Sequence, residues 1–328
     1  MNNYKKLLDL IHQFKSLNIW ETIDSRDIFQ VELSHKNVYV SLLGNAGIEY
    51  GMMVYESVED LSYQMMAEND SIEVEQPDLP FHLSGLKIEC RDGKIMSQYD
   101  TSGKIFEYGI HDDCLALKFS VGKPMRLVND DECLLLIELL ELFIKYYREI
   151  KDLDFESIEA IETYSIKDNN NLEVRIMSFP AAIPPHYDVN YELDEEMLED
   201  VSTLNKQDEW AIGIFYSPAF VEEDENPYFP KVCLIYNMTQ EQIIDVLVPY
   251  KDDYEYFPQM LLESFIKIGY LPEYLNIANY ETLSYFASLL DSLQIDGEVR
   301  MISVFNDIYD SMSKELTEGL IEEEGFIC

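Results

Sequence analysis

Acidic side chains outnumber basic ones by 64 to 23 in 328 residues, a formal net charge of −41 that constrains every fold open to this chain. An unpaired carboxylate is expensive to bury, so the acids must line surfaces and loops while a separate apolar set builds the core. That set is present. The chain is 47% hydrophobic and 12% aromatic, with 23 tyrosines and 16 phenylalanines, which separates it from acidic disordered sequences that lack both. Its length exceeds what one core usually serves, so two domains are expected.

The same charge limits partners. No duplex, RNA or anionic bilayer approaches a surface of this sign without an opposing basic patch, so direct nucleic-acid and membrane binding are not expected. The excess is uneven: residues 1–164 hold 31 acidic and 15 basic side chains, net −16, and 165–328 hold 33 and 8, net −25. Cys90, Cys114, Cys133, Cys233 and Cys328 form no CxxC pair and are odd in number, so they read as reduced. The opening MNNYKKLLDLIHQF reads as an amphipathic helix and lacks the marks of a secretion signal. The most apolar stretch, Cys133 to Ile144, is broken by Glu138 and Glu141 and is too short to cross a bilayer. A cytoplasmic protein is expected.

Helical spacing of Tyr4, Leu7, Leu8, Ile11 and Phe14 predicts a helix over about the first seventeen residues. Asp27–Glu32, Asn37–Leu43 and Ile48–Tyr55 read as an antiparallel meander with turn residues between them. Ser57 reads as an N-cap with Asp60 at the third helical position. Strands are expected at Leu83–Cys90, Lys94–Tyr99 and Leu115–Ser120. A long helix capped by Asn129 or Asp130 follows, its buried face marked by Leu134, Ile137, Leu140, Ile144 and Tyr147. A hairpin at Glu156–Tyr164 and Leu172–Ser178 leads into Phe179-Pro180-Ala181-Ala182-Ile183-Pro184-Pro185, a linker candidate. After a short helix near Glu195–Leu204, strands are expected at Trp210–Tyr216, Val232–Tyr236, Ile243–Val248, Tyr274–Ala278 and Glu298–Ser303. Helices are expected at Glu255–Ile268, Tyr280–Leu293 and Phe305–Leu320.

The last eight elements run strand, strand, strand, helix, strand, helix, strand, helix, an order similar to the ribonuclease-H-like architecture. In catalytic members of that superfamily, carboxylates at the end of the first strand, on the first helix and after the fourth strand hold two divalent cations. The matching positions read here as Asn237, Glu263 and Ala278-Asn279, so two of three are amides that lack the charge such metals need. The likeness implies a degenerate fold without that catalytic site. The expected class is α+β in two domains: an N-terminal antiparallel sheet with helices over 1–185, an acidic linker over 186–207, and a C-terminal mixed α/β sheet of ribonuclease-H-like order over 208–328.

Two segments carry a wider resemblance: Trp20-Glu21-x-Ile23-Asp24-x-x-Asp27-Ile28-Phe29-x-Val31, and Tyr39-Val40-Ser41-x-x-Gly44-x-x-Gly47-x-x-x-Gly51-x-x-Val54-Tyr55. Tyr228-Phe229-Pro230 and Gly269-Tyr270-Leu271-Pro272 extend it into the second half. Through them the chain resembles an uncharacterised family of bacterial two-domain proteins, a resemblance that implies no activity.

Gly44, Gly47 and Gly51 join two strands and open no helix, so turn and packing roles explain them better than phosphate binding. His111-Asp112-Asp113-Cys114 has metal-ligand residue types, yet consecutive side chains seldom converge on one ion, and no metal or cofactor is expected. His12, His35, His82 and His186 lack a recognisable nucleophile partner, and Trp20, Tyr50 and Tyr55 read as core aromatics. No catalytic residue is assigned. The acidic runs Glu222-Glu223-Asp224-Glu225 and Asp252-Asp253-Tyr254-Glu255-Tyr256 combine charge that steers with aromatics that anchor, the chemistry for meeting a basic groove on a partner. The expected function is a non-catalytic module binding a basic protein, of inhibitor, immunity or nucleic-acid-mimic type. The alternative is a metal-dependent hydrolase of phosphoester or nucleic-acid substrates, gathering carboxylates such as Asp112, Asp113 and Glu263 from separate loops.

Overall fold

Among the described residues, segments of period two build two large sheets and segments of period 3.6 the helices that pack on them, each sheet with its own core. The computed structural model describes residues 3–23, 25, 27–33, 36–44, 50–62, 77–90, 98–99, 105–106, 114–152, 162–167, 171–176, 191, 193–223, 226–251 and 253–323. One unit comprises Met1–Glu68, His82–Ile183 and Glu222–Pro227; the other comprises Asn69–Phe81, Pro184–Val221 and Tyr228–Cys328.

In the first unit, β1 (Ile28–Glu32), β2 (Asn37–Leu43) and β3 (Tyr50–Tyr55) form the expected meander, with Val40 opposite Phe29 on one side and Val54 on the other. β4 (Gly85–Cys90) pairs with β3 and with β7 (Cys114–Ser120), and β8 (Lys123–Leu127), which sequence reasoning missed, ends the sheet. Between β4 and β7, β5 (Gln98–Tyr99) and β6 (Ile105–Phe106) pair with each other. β9 (Glu162–Lys167) and β10 (Asn171–Ile176) make the expected hairpin, but β9 runs parallel to β1. The order β10-β9-β1-β2-β3-β4-β7-β8 therefore holds one parallel pair in an otherwise antiparallel sheet. Gly51, at φ 153°, lets β3 approach β4: a Cβ there would collide with the Ile88 carbonyl. Gly44 makes room for the Trp20 side chain, and Gly47 lies outside the described residues.

α1 (Asn3–Lys15) and α2 (Asp130–Lys145) pack on the core of this sheet. A complete capping box starts α2, with Asn129 and Glu132 each accepting the other's backbone N–H, which contributes about 1 kcal/mol. Its buried residues include Cys133, Leu136, Ile137, Leu139, Leu140 and Phe143, whereas Leu134, expected on the buried face, is exposed. The helix is apolar almost all round, so spacing alone admits more than one rotation about its axis. Phe143 settles it by packing edge-on against Phe14 and Phe29.

Cys90 and Cys114 occupy directly paired positions on β4 and β7 and are joined as a disulfide, which corrects the reading of all five cysteines as reduced. Strand pairing brings together two residues that no short spacing links. Cys133 and Cys233 are free and buried; Cys328 lies outside the described residues.

In the second unit, α4 (Glu195–Ser202), following the short α3 (Tyr147–Lys151) of the first, is capped by Asp194. β11 (Glu209–Tyr216), β14 (Lys231–Asn237) and β15 (Gln242–Leu247) form an antiparallel meander. Between the first two in sequence, β12 (Val221–Glu223) and β13 (Asn226–Tyr228) pair with each other; of these residues only Val221 and Tyr228 belong to the second unit. α5 (Phe257–Ile268) ends at Gly269, whose left-handed φ of 86° makes the expected stop. β16 (Tyr274–Ile277) runs parallel to β11, and after α6 (Tyr280–Ser292), β17 (Asp296–Val299) runs parallel to β16. The last expected strand is shorter than Glu298–Ser303, because Ser303 already opens α7 (Ser303–Glu323).

The order β15-β14-β11-β16-β17 places β11 between an antiparallel and a parallel neighbour. Trp210, Ile212 and Ile214 pack with Phe265, Phe286 and Leu289 in one cluster, and Ala211, Phe215 and Leu234 with Phe305 and Tyr309 in another. Each buried leucine, isoleucine or phenylalanine contributes about 1.5–3 kcal/mol by leaving water, so both clusters are large terms for this unit. Among the described residues no helix is long and apolar enough to cross a membrane.

Candidate functional site

The carboxyl ends of parallel strands, where chain direction switches, are where open α/β sheets place ligand chemistry. Here β11 ends at Tyr216-Ser217 and β16 runs into Ala278-Asn279. Register sets Lys231, at the start of β14, opposite Tyr216. The Lys231 ammonium pairs with Glu281 in the first turn of α6, and both side chains are buried. Two rings cover the ammonium, Tyr216 with its centroid at 4.9 Å and Tyr254 at 5.2 Å. The Tyr216 backbone N–H donates to Asp78 Oδ2 at 2.8 Å, so an acid from residues 69–81 belongs to this sheet end. Asn279 caps α6 by accepting from the Thr282 N–H at 2.7 Å while its Nδ2 donates to the Ile214 carbonyl at 3.1 Å, tying helix to strand.

Burial, followed by the Glu281 charge, pushes the Tyr216 and Tyr285 hydroxyls well above the ordinary tyrosine range. Burial, with Asp78, does the same to Tyr309. The cluster is thus an internally neutralised cation and anion ringed by protonated phenols. It fixes Tyr254, which also stacks on Phe257 at 6.0 Å, and so anchors the one-turn segment Tyr254–Tyr256.

That turn carries part of the acidic surface expected from sequence. Asp253, Glu255 and Tyr256 are exposed, Tyr256 to 61%, while Tyr254 turns inward over Lys231. Glu222 and Glu223 lie on β12, in the other compact unit, so the two acidic runs do not belong to one unit. Asp224, Glu225 and Asp252 lie outside the described residues. Sequence reasoning missed the exposed apolar residues that precede the turn: Ile243, Val246, Val248 and Tyr250. Alternation at 246, 248 and 250 was the signal available.

Asn237 is corrected in position. It ends β14, the second strand of the sheet, opposite Trp210, and so lies at the other end of β11 from Tyr216. There it donates to Asp208 Oδ2 at 2.8 Å and accepts from the Gln240 N–H at 2.8 Å. The Asn237 amide, joined by Gln240 and Tyr270, holds the Asp208 carboxyl below its usual range. This network ties a left-handed turn at Asp208 to two loops. Glu263 is exposed on α5, and Asp112 and Asp113 lie outside the described residues, as do His35, His111 and His186. Among the described residues no group of three or more His, Cys, Asp or Glu is placed to hold a metal. His12 lies with Nδ1 4.0 Å from Cys114 Sγ, His82 is buried, and Trp20 packs on Phe14 and Tyr50 in the core.

A family model described as Domain of unknown function (DUF7309) matches residues 4–167, and one described as Domain of unknown function (DUF6930) matches residues 198–313. No curated protein and no solved structure matches the chain.

Proposed function

For this chain, which belongs to the DUF7309 family and matches DUF6930 in its second half, we propose a non-catalytic, cytoplasmic binding role. Its acidic surface at Asp253–Tyr256 engages a basic protein partner. The observation that carries this reading is the anchored turn itself. Tyr254 is held over the buried Lys231, so Asp253, Glu255 and Tyr256 are presented on a fixed support. Charge of this sign speeds encounter with a basic surface, and a pre-positioned tyrosine contributes contact area at low entropic cost.

The sheet order β15-β14-β11-β16-β17, with its antiparallel and parallel halves, supports the ribonuclease-H-like reading. At the carboxyl ends of β11 and β16 it carries Ser217, Ala278 and Asn279 beside a lysine, which supports a sheet retained for its shape. In the test, the full chain is immobilised and offered a defined basic protein at rising salt, beside the Asp253→Asn/Glu255→Gln/Tyr256→Ala variant. Binding that weakens with salt and is lost in the variant supports the reading. Equal retention by the variant, or magnesium- or manganese-dependent cleavage of a phosphoester by the purified chain, contradicts it.

A further inference from the structure

β11 outruns its parallel neighbour. Its pairing with β16 ends at Ile212 opposite Ile277, yet the strand continues to Tyr216. Backbone groups on that side beyond Ile212 need other partners, because a buried N–H or C=O is costly to leave unpaired. At Ile214 the second unit's own α6 supplies them: Thr282 Oγ1 accepts the N–H at 2.8 Å and Asn279 Nδ2 donates to the carbonyl at 3.1 Å. At Tyr216 the partner comes from far away in sequence. The Tyr216 N–H donates to Asp78 Oδ2 at 2.8 Å, and Asp78 is only 1% exposed.

Asp78 belongs to Asn69–Phe81, a stretch of the second unit whose neighbours in sequence belong to the first. Its described part, 77–81, adds no strand to the five-stranded sheet and leads into one short turn, Leu79–His82. The Phe81 N–H donates to the Asp78 carbonyl at 2.9 Å, which sets carboxylate and ring at a fixed spacing. The Phe81 ring meets Phe229 edge-on with centroids 4.4 Å apart, lies 6.3 Å from Tyr216 and packs on the cluster of Phe215 and Phe305. A carboxylate on a strand-end N–H and an aromatic ring in an apolar slot are the anchors that hold short peptide turns. Tyr309 of α7 shares the cluster; burial, then the Asp78 charge, raises its hydroxyl, which has no hydrogen-bond partner among the described residues. A core packed for stability pairs such a group, so it marks the surroundings of Asp78 as a site.

We infer that the β11 end of the second unit is a recognition site for an Asp-x-x-Phe turn, which residues 78–81 of the same chain fill. The inference goes beyond the acidic-surface reading: the ligand is an acidic, aromatic polypeptide segment, and the groups that recognise it are a backbone N–H and aromatic rings. Tethering holds the turn in place although chain and segment share a negative charge, because a linked ligand acts at an effective concentration of roughly millimolar order.

The test empties the site in the full chain with Asp78→Ala/Phe81→Ala. The probe is a capped peptide of residues 75–83, beside a control peptide with alanine at both anchors. The peptide is expected to bind the variant at least about tenfold more tightly than the parent, whose own turn competes for the site. Amide exchange at Tyr216 is faster in the variant and returns to the parent rate with peptide. Raising the salt leaves the affinity equal or higher, since peptide and chain are both acidic, the reverse of what a basic partner shows. Where the double variant loses its cooperative melt, Phe81→Leu, which loosens only the ring, takes its place and is expected to bind the peptide more tightly than the parent does. Equal binding of peptide and control by the variant, equal binding of the peptide by variant and parent, or affinity that falls as salt rises overturns the inference.

Discussion

Lys231 and Glu281 form an ion pair buried between the start of β14 and the first turn of α6. A lone charge in that position would be costly, so each residue requires the other. Lys231→Met leaves Glu281 uncompensated and is expected to lower stability by about 3–5 kcal/mol in urea unfolding. Lys231→Met/Glu281→Leu recovers most of that loss. A single variant as stable as the parent would show that the pair is not formed.

Alkaline pH separates the buried tyrosines from the rest. Burial, then the Glu281 charge for Tyr216 and Tyr285 and the Asp78 charge for Tyr309, keeps these three protonated in the fold. The unfolded chain releases its phenolic protons near about pH 10 and then binds fewer than the native state, so stability falls as pH rises past that value. Tyrosinate absorbance should show a last group ionising only with cooperative loss of ellipticity. Smooth ionisation of all 23 tyrosines in the folded chain would contradict it.

Acid pH reads a different pair. Burial alone would raise the Glu132 carboxyl, but two Arg126 hydrogen bonds at 2.8 and 2.6 Å and the Asn129 N–H hold it below its usual value. A depressed folded value contributes stability above the ordinary glutamate range near about 4.3, lost as pH falls through the folded value. Glu132→Gln should cost about 1–2 kcal/mol at neutral pH and flatten the stability profile on the acid side. An unchanged profile would remove Glu132 from the acid response.

The Cys90–Cys114 bond closes a loop of sequence separation 24, which in the chain-entropy view stabilises by about 3–4 kcal/mol. Alkylation of the native protein without reductant should leave both cysteines unlabelled. Dithiothreitol should lower the melting temperature of the parent and leave that of Cys90→Ala/Cys114→Ala unchanged. Labelling of both before reduction would contradict the bond.

Elements with a local cause were legible in the sequence. The helix cap at Asn129 or Asp130, which the fold resolves to Asn129, the Gly269 stop and the first meander follow from residues within a few positions of one another. Features made by pairing distant segments were not. The parallel contact of β1 with β9, the Cys90–Cys114 bond and the place of Asp78 beside Tyr216 join residues whose meeting only the tertiary fold decides. The match of Asn237 to the end of a first strand fails on chain order alone, because Trp210–Tyr216 precedes Val232–Tyr236. Lys231 escaped notice for a different reason: a lysine after a proline at a strand start reads as solvated until the helix bearing Glu281 is in place. The acidic turn at 253–256 was visible as composition, but its support through Tyr254 was not.

The binding reading depends most on the turn that Tyr254 anchors, and calorimetric titration of a basic polypeptide into the full chain at two salt concentrations tests it most directly. Binding at low salt that weakens as salt rises, and that falls at least about tenfold in the Asp253→Asn/Glu255→Gln/Tyr256→Ala variant with an unchanged melt, is the expected result. Binding that neither responds to salt nor distinguishes that variant from the parent would contradict it.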